Sequence, residues 1–210
     1  MWSDTLEFHS MKRGGRSVIV DAALASVEER GWEATSMQAV RERAGVSNGS
    51  LFHHFPTRAD LAAAVVAAGL ADHRAVLLRA LHAAGGAEDA VRRVVARHLR
   101  WIEDNPQLAR LFLHSPPDVL RTMLDDAALD AKRGFAEEID DWLRGHGWSG
   151  APDLTVVVAL WIGPVHEYAR GWLASPGPSP ALVSDALAEG AWRAVGPLLR
   201  SPGGSAGGRS

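Results

Sequence analysis

The sequence contains no cysteine, one tyrosine and only two lysines among its 210 residues. Without cysteine the chain cannot form disulfides, use a thiolate nucleophile or hold a metal ion through thiolates. Long apolar runs are also absent. The most apolar segments, such as residues 154–165, are too short to span a bilayer, and this one contains Gly163 and Pro164. Residues 1–10 carry two acids and no apolar stretch, so they predict no secretory signal. We therefore expect a cytoplasmic protein that does not enter membranes.

Residues 35–60, TSMQAVRERAGVSNGSLFHHFPTRAD, have the clearest local pattern in the chain. Thr35 and Gln38 are spaced as a capping box that would open a short helix. Gly45 allows a tight turn, and Ser47 can cap the next helix. That second helix contains no acidic residue, and Thr57 then supplies a further cap. A helix, a short glycine turn and an acid-free helix are typical of a helix-turn-helix that reads the major groove of DNA.

Residues 12–65 resemble the DNA-binding domain of the TetR family of transcriptional regulators. The resemblance depends on an amphipathic helix that ends at Gly31, a Thr/Ser cap, the run AGVSNGSLFHHF and a basic residue at the start of a fourth helix. Two positions depart from the family pattern. Arg41 stands where a small apolar residue is usual, and Arg58 stands where lysine is more common. The resemblance implies a dimer, a palindromic operator on double-stranded DNA and a small-molecule effector, with no cofactor.

The net charge of −3 does not by itself favour nucleic-acid binding, but the distribution of charge does. Basic residues precede the first helix and flank the acid-free helix, whereas Glu28, Glu29 and Glu33 lie at the far end of the first helix. Short polar and aromatic side chains on the acid-free helix suit base edges and phosphates. The predicted DNA-binding residues are Lys12, Arg13, Arg16, Ser36, Gln38, Ser47, Asn48, Gly49, Ser50, Phe52, His53, His54, Thr57 and Arg58.

The rest of the chain also reads as helical, because apolar residues recur at helical spacing and no strand-like alternation or repeat is present. We predict an all-α fold with a three-helix helix-turn-helix domain and a six-helix C-terminal domain for ligand binding and dimerisation. The predicted organisation is a flexible basic arm (1–15), the DNA-binding domain (16–57), the regulatory domain (58–200) and a disordered tail (201–210). Predicted helices cover 16–30, 58–81, 88–103, 106–114, a segment ending near 144, 153–174 and 180–200. Pro164 should kink or break the helix that contains it.

Because one helix-turn-helix reads few base pairs, specific binding requires a dimer, and the last two helices carry more apolar surface than one side needs. The predicted dimer residues are Val157, Leu160, Gly163, Val165, Tyr168, Leu187, Ala191, Trp192 and Val195. The alternative is that these residues simply pack within one subunit. Large side chains with interspersed histidines also predict an effector pocket, or else an ordinary core. Its candidate residues are His98, Trp101, Phe112, Met123, Trp142, Trp161, His166 and Trp172.

No catalytic or metal-binding set is evident. The paired acids at 125–126, 137–138 and 140–141 are adjacent on helices and diverge, and the adjacent histidines 53 and 54 have no third ligand near them in sequence. The sequence therefore favours a repressor that a small apolar or amphipathic ligand releases from its operator. The alternatives are an activator, a regulator that answers to a protein partner, a small helical enzyme using the C-terminal cavity, and a purely structural helical adaptor.

Overall fold

The computed structural model describes residues 15–114, 122–175 and 177–199. Lys12 and Arg13 of the predicted arm and the predicted tail lie outside this part of the chain. The described residues form nine α-helices and no strand, which confirms the predicted all-α fold. In chain order they are α1 (Gly15–Arg30), α2 (Met37–Ala44), α3 (Asn48–His54), α4 (Arg58–His82), α5 (Ala87–Asp104), α6 (Pro106–His114), α7 (Asp126–Gly145), α8 (Leu154–Ala174) and α9 (Pro180–Val195).

One predicted helix end and one predicted helix break differ from the structure. The last helix was expected to reach residue 200, but α9 ends at Val195 and a 3-10 turn, Gly196–Leu199, follows. Pro197 has no backbone N–H, so the α-helical hydrogen-bond pattern cannot continue through it. Conversely, α8 remains helical through Pro164, which was expected to kink or break it. The proline ring lies on the exposed side of α8, where water can satisfy the carbonyl that the ring leaves unpaired.

The described residues divide into two compact units, and the division falls inside α4. The first unit contains 15–71, 107–114 and 122–126, and the second contains 72–106, 127–175 and 177–199. The predicted boundary after Thr57 therefore differs from the compact units. The reason is that Leu61 and Val65 of α4 are buried in the first unit, and Gly69 lies against Leu108 and Phe112 of α6. A Cβ atom at Gly69 would lie 3.0 Å from Cζ of Phe112.

The first unit has its core beneath the helix-turn-helix. Ile19, Ala23 and Val27 recur along one face of α1 and are buried together with Val40 of α2 and Leu51 of α3. Glu28, at the far end of α1, accepts a hydrogen bond of 3.0 Å from the backbone N–H of Leu108, so it caps the N-terminus of α6. Burial raises the pKa of this carboxyl group, although its backbone hydrogen bonds oppose the rise.

The core of the second unit is formed by α5, α8 and α9 with part of α4 and α7. Its largest buried side chain is Trp161, whose indole N–H donates a 3.2 Å hydrogen bond to the carbonyl of Val91. The connecting helix α4 has the length and composition of a membrane span, with a mean hydropathy of 1.6 in its most apolar window. Core helices of soluble proteins share these properties, and this helix contributes Leu77 and Leu81 to the core of the unit.

Candidate nucleic-acid interface and effector site

The turn between α2 and α3 is fixed by a glycine and a serine cap. Gly45 has φ of 66°, a left-handed conformation that glycine adopts without strain, and its N–H closes the end of α2. Ser47 then accepts a 3.1 Å hydrogen bond from the backbone N–H of Ser50 and starts α3. These local contacts set the direction in which α3 leaves the turn, as the sequence predicted.

The cap of α2 differs from the prediction by one residue. Ser36, not Thr35, is the N-cap, and its Oγ accepts a 3.1 Å hydrogen bond from the N–H of Ala39. Thr35 is buried and its hydroxyl donates to the carbonyl of Gly31 at 2.9 Å, while Gln38 bonds to Glu42. The predicted capping box between Thr35 and Gln38 is therefore wrong, because the Thr35 hydroxyl is hydrogen-bonded at the end of α1 instead.

The fourth helix does begin with a reciprocal capping box. Thr57 and Asp60 exchange hydrogen bonds, from the N–H of Thr57 to the carboxylate at 2.9 Å and from the N–H of Asp60 to the hydroxyl at 3.1 Å. This capping box starts three residues after the last residue of α3, so α3 is followed by a defined turn as well as preceded by one.

One face of α3 is buried and the other is free. Leu51 and Phe55 are each 1% exposed and anchor the helix to the first unit. On the opposite face Asn48, Gly49 and His53 are exposed, and Phe52 keeps 44% of its surface accessible. This face therefore presents an aromatic ring together with polar side chains, all accessible to another molecule.

The two histidines at the end of α3 have different surroundings. His54 is half-buried, and a Cβ atom at Gly15 would lie 3.2 Å from its Nε2, so His54 lies against the start of α1. His53 is exposed, with its ring 5.1 Å from that of His54. Ser50 is half-buried near the same glycine, which leaves Asn48, Gly49, Phe52 and His53 as the accessible part of the predicted reading helix.

Several of the basic side chains near α3 have partners within the first unit. Arg43 forms a bidentate pair with Glu29, at 2.7 and 2.5 Å, which lowers the pKa of that carboxylate. Arg58 donates a 2.6 Å hydrogen bond to the carbonyl of Trp32 and lies over its ring at 4.7 Å. Arg16 is exposed, lies 5.2 Å from the ring of Phe55 and has no carboxylate partner among the described residues. Among these three arginines, Arg16 is the one free to meet a phosphate.

A free polar-aromatic helix face, supported on a buried core and preceded by a left-handed glycine turn, has the geometry of a DNA-reading helix-turn-helix. Residues 19–65 match the model of bacterial regulatory proteins of the tetR family. The predicted TetR-type helix-turn-helix is confirmed for these residues. The match covers α2 and α3 entirely, together with most of α1 and the beginning of α4.

A curated relative is similar to part of this chain, and solved structures share its fold. The HTH-type transcriptional repressor KstR of Mycolicibacterium smegmatis is 33% identical over 97 residues, which are 46% of this chain and 48% of that protein. The chain thus spans about half the length, or less, of the curated relatives it matches. A tetR-family transcriptional regulator from Streptomyces coelicolor has a similar fold, with a TM-score of 0.69 and 20% identity over 89% of this chain and 86% of that one. The regulator FadR from Bacillus subtilis, solved in complex with stearoyl-CoA, gives a TM-score of 0.64 and 17% identity, over 82% of this chain and 95% of that one.

The predicted dimer residues separate into buried and accessible groups. Val157, Val165, Ala191 and Val195 are at most 2% exposed and belong to the core of the second unit, so they are not available to a partner. Leu160 is 41% exposed, and the remaining four, Gly163, Tyr168, Leu187 and Trp192, are partly buried. Sequence periodicity could not tell which side of each of these two helices faces the core.

The exposed apolar residues that the sequence analysis missed lie on the same two helices. Besides Phe52 and Leu160, the large apolar side chains exposed in the described residues are Val156, Val158 and Leu182. Leu182 keeps 76% of its surface accessible. Gly163 on α8 and Gly190 on α9 have no atom within 4 Å of a Cβ position, so each leaves open space at the surface.

The predicted effector residues are distributed over both units. Phe112 and Met123 belong to the first unit, and Phe112 packs on Gly69 there, so these two are not part of the second unit's core. Trp161 is 2% exposed and is a core residue, while Trp142 and Trp172 are half-buried. His98, Trp101 and His166 lie together within the second unit, where His73 of α4, which the sequence analysis did not select, joins them.

The pKa values of these histidines predict that the folding stability depends on pH. Burial is the main reason that the pKa of His73 is lowered to about 4, with His166 and Arg74 adding to the effect. Burial likewise lowers the pKa values of His98 and His166. Because the unfolded chain binds these protons near pH 6.5, the stabilising contribution of neutral His73 is complete above that pH and is lost as the pH falls toward 4. We expect a loss of roughly 3 kcal/mol from His73 alone over this range.

Urea unfolding followed by tryptophan fluorescence at pH 7.5 and pH 5 measures the part of this loss that occurs above pH 5, about 2 kcal/mol, and His73→Asn should reduce it. His146→Asn is the matched control, because His146 stacks on Trp142 away from the other histidines. Equal unfolding midpoints at the two pH values would contradict the prediction.

Proposed function

We propose that this chain is a dimeric, sequence-specific DNA-binding repressor that a small apolar or amphipathic effector releases from a palindromic operator. The single observation that carries the proposal is the accessible face of α3, with Asn48, Gly49, Phe52 and His53 exposed above buried Leu51 and Phe55. Gly49 permits close approach of the backbone to DNA, and the Asn48 amide both donates and accepts.

Phosphate contacts would hold α3 in the groove. The exposed N-termini of α2 and α4, capped by Ser36 and Thr57, offer backbone N–H groups to phosphates, and Arg16 adds an unpaired charge. Lys12 and Arg13 would extend this basic surface, and Arg58 could join it by leaving its contact with Trp32.

Dimerisation is supported by the exposed apolar residues of α8 and α9. Val156 and Leu160 are one turn apart on α8, and Leu182, Ala186 and Gly190 follow the same spacing on α9. Such a face costs free energy in water and is normally covered by another subunit. Two copies related by a two-fold axis would place their α3 helices at half-sites one helical turn apart, about 34–36 Å, or a multiple of it.

Release by the effector would act through α4, which contributes residues to both compact units. An effector in the second unit that favours one position of α4 over another would shift the population of the DNA-binding arrangement. A coupling free energy of about 1–3 kcal/mol changes operator affinity roughly 5–150-fold. The relatives and solved structures similar to this chain include a transcriptional repressor and a transcriptional regulator. No observation on the described residues favours the enzyme, activator or adaptor alternatives.

Replacing Asn48 by alanine tests the proposal. The side chain is exposed and is not the helix cap, so we expect unchanged stability and a loss of about 1–3 kcal/mol in discrimination at the base it contacts. An operator is first selected from random duplexes with the unmodified protein, and binding to it and to single-base variants is measured by fluorescence anisotropy.

Arg16→Gln is the comparison for this experiment. As a predicted phosphate contact it should weaken binding to all sequences alike and reduce the slope of log affinity against log salt by about one. If the Asn48 variant selected and discriminated among operators as the unmodified protein does, α3 would not read bases in the proposed way.

A further inference from the structure

Three histidines from three helices meet inside the second unit, and we call His73, His98 and His166 the histidine cluster. Nε2 of His73 lies 3.1 Å from Nδ1 of His98, within hydrogen-bond distance, and their rings are 4.7 Å apart. The His166 ring is 5.0 Å from that of His98, and His98 is 2% exposed. No three His, Asp or Glu side chains among the described residues converge closely enough to hold a metal ion. The cluster is therefore a set of one buried and two half-buried imidazoles without a metal geometry.

The charges around the cluster are predominantly positive. On α4, the half-buried Arg74 forms no hydrogen bond or ion pair with a described residue, and it is close enough to His73 to depress that group's pKa. On α8, Arg170 acts in the same way on His166 and has only a 3.5 Å contact with Glu167. The carboxylate of Asp72 acts in the opposite direction and raises the pKa of His73. One of its oxygens already accepts a 2.8 Å hydrogen bond from the indole N–H of Trp101.

Such surroundings suit an anion more than a cation. Two guanidinium groups without a strong partner attract negative charge, and three neutral imidazoles can each gain a proton when an anion arrives. The ring of Trp101 lies 4.5 Å from that of His73. Leu99 and Ile102, on the helix of His98, and Val165, on the helix of His166, are also buried. These residues make the neighbourhood of the cluster largely apolar. A ligand that fits both features has one acidic group on an apolar body.

We propose that the histidine cluster binds the carboxylate of an apolar monocarboxylic acid, and that this acid is the effector. The carboxylate accepts hydrogen bonds from the imidazoles of His98 and His166 and replaces the contact between His73 and His98. Because His73 is carried on α4, the loss of that contact alters the packing of the helix that contributes to both units. The effector role rests on the proposed function, whereas binding of the acid does not.

Proton uptake distinguishes this site from an ordinary apolar pocket. Formation of an ion pair with a cluster that is neutral at pH 7 requires about one proton per bound carboxylate, so affinity should fall about tenfold per pH unit above pH 7. Isothermal titration calorimetry in two buffers of different ionisation enthalpy counts the proton. The probes are straight-chain carboxylates from butyrate to palmitate, each paired with the alcohol of the same length.

We expect at least one carboxylate to bind with proton uptake and its alcohol to bind at least about tenfold more weakly, since a hydrogen bond to a charged group is involved. His98→Asn and His166→Gln should each weaken the carboxylate at least about tenfold and remove the uptake, and the half-buried His166 provides the variant that does not disturb the core. His146→Gln should leave both unchanged. The proposal is overturned if no carboxylate in the series binds, if the alcohol binds equally well, or if uptake persists in His166→Gln.

The same samples separate this proposal from the proposed function. Operator binding of the unliganded protein, measured by anisotropy, tests the repressor alone. If the operator binds but no carboxylate does, the histidine cluster is not the effector site and the repressor stands. If a carboxylate binds with proton uptake but does not change operator affinity, the site exists and its effector role is wrong.

Discussion

Arginine in place of Gly190 is expected to leave the subunit folded and to abolish tight operator binding. Gly190 is exposed on α9 and has no atom within 4 Å of a Cβ position, so a side chain there meets nothing within the subunit. Arginine also favours the helix by nearly 1 kcal/mol relative to glycine. In a dimer formed through α8 and α9, the same side chain would place a charge in the interface. Loss of the second half-site should then reduce affinity for the palindrome roughly 10²–10⁴-fold.

The measurement combines sedimentation velocity, which gives the oligomeric state, with anisotropy on the selected operator and on a single half-site. Gly134→Arg is the matched control, because Gly134 is also exposed with open space around it but lies on α7. The control should remain dimeric and bind normally. A Gly190 variant that stays dimeric and retains its operator affinity would place the interface elsewhere.

Phe55→Ala is expected to cost about 3–5 kcal/mol of folding stability, since a buried aromatic side chain is lost and a cavity remains. Phe55 is 1% exposed, ends the reading helix and carries the guanidinium of Arg16 over its ring. A loss of this size is a large fraction of the stability of a small unit. We therefore expect α3 to lose its support and operator binding to disappear with it.

Phe52→Ala supplies the contrast, because the same residue type three positions earlier is 44% exposed. It should change stability by no more than about 0.5 kcal/mol and lower DNA affinity without unfolding the protein. Thermal unfolding by circular dichroism and anisotropy with operator DNA measure the two effects. Similar losses of stability in both variants would mean that α3 does not have one core face and one free face.

Local contacts explain why so much of the helix-turn-helix could be predicted from sequence. The glycine turn at Gly45, the Ser47 cap and the Thr57–Asp60 box each depend on residues at most five positions apart, and all three are present. The cap of α2 is the exception. Thr35 and Ser36 could each cap a helix. Ser36 is the N-cap of α2 because the Thr35 hydroxyl donates its hydrogen bond to the carbonyl of Gly31, at the end of α1.

Contacts distant in sequence could not be predicted in this way. Glu28 caps α6 across 80 residues of sequence, and Gly69 receives Phe112, so α6 belongs to the first unit although the prediction placed it in the regulatory domain. Nothing in the sequence around His73 predicts its role, because its hydrogen-bond partner His98 lies on α5 and the third histidine, His166, lies against His98 from α8.

The amino-acid sequence by itself determined the all-α class, the helix-turn-helix and its family, because capping, turn chemistry and apolar periodicity operate within a few residues. It also identified α8 and α9 as unusually apolar. Only the tertiary structure decided that Val157 and Val195 face the core while Val156, Leu160 and Leu182 face solvent, and that three histidines meet within the second unit. The physical reason is that packing between helices decides which side chains are buried and lowers the pKa values of the histidines. Periodicity along one helix does not specify which of its sides a distant helix will cover.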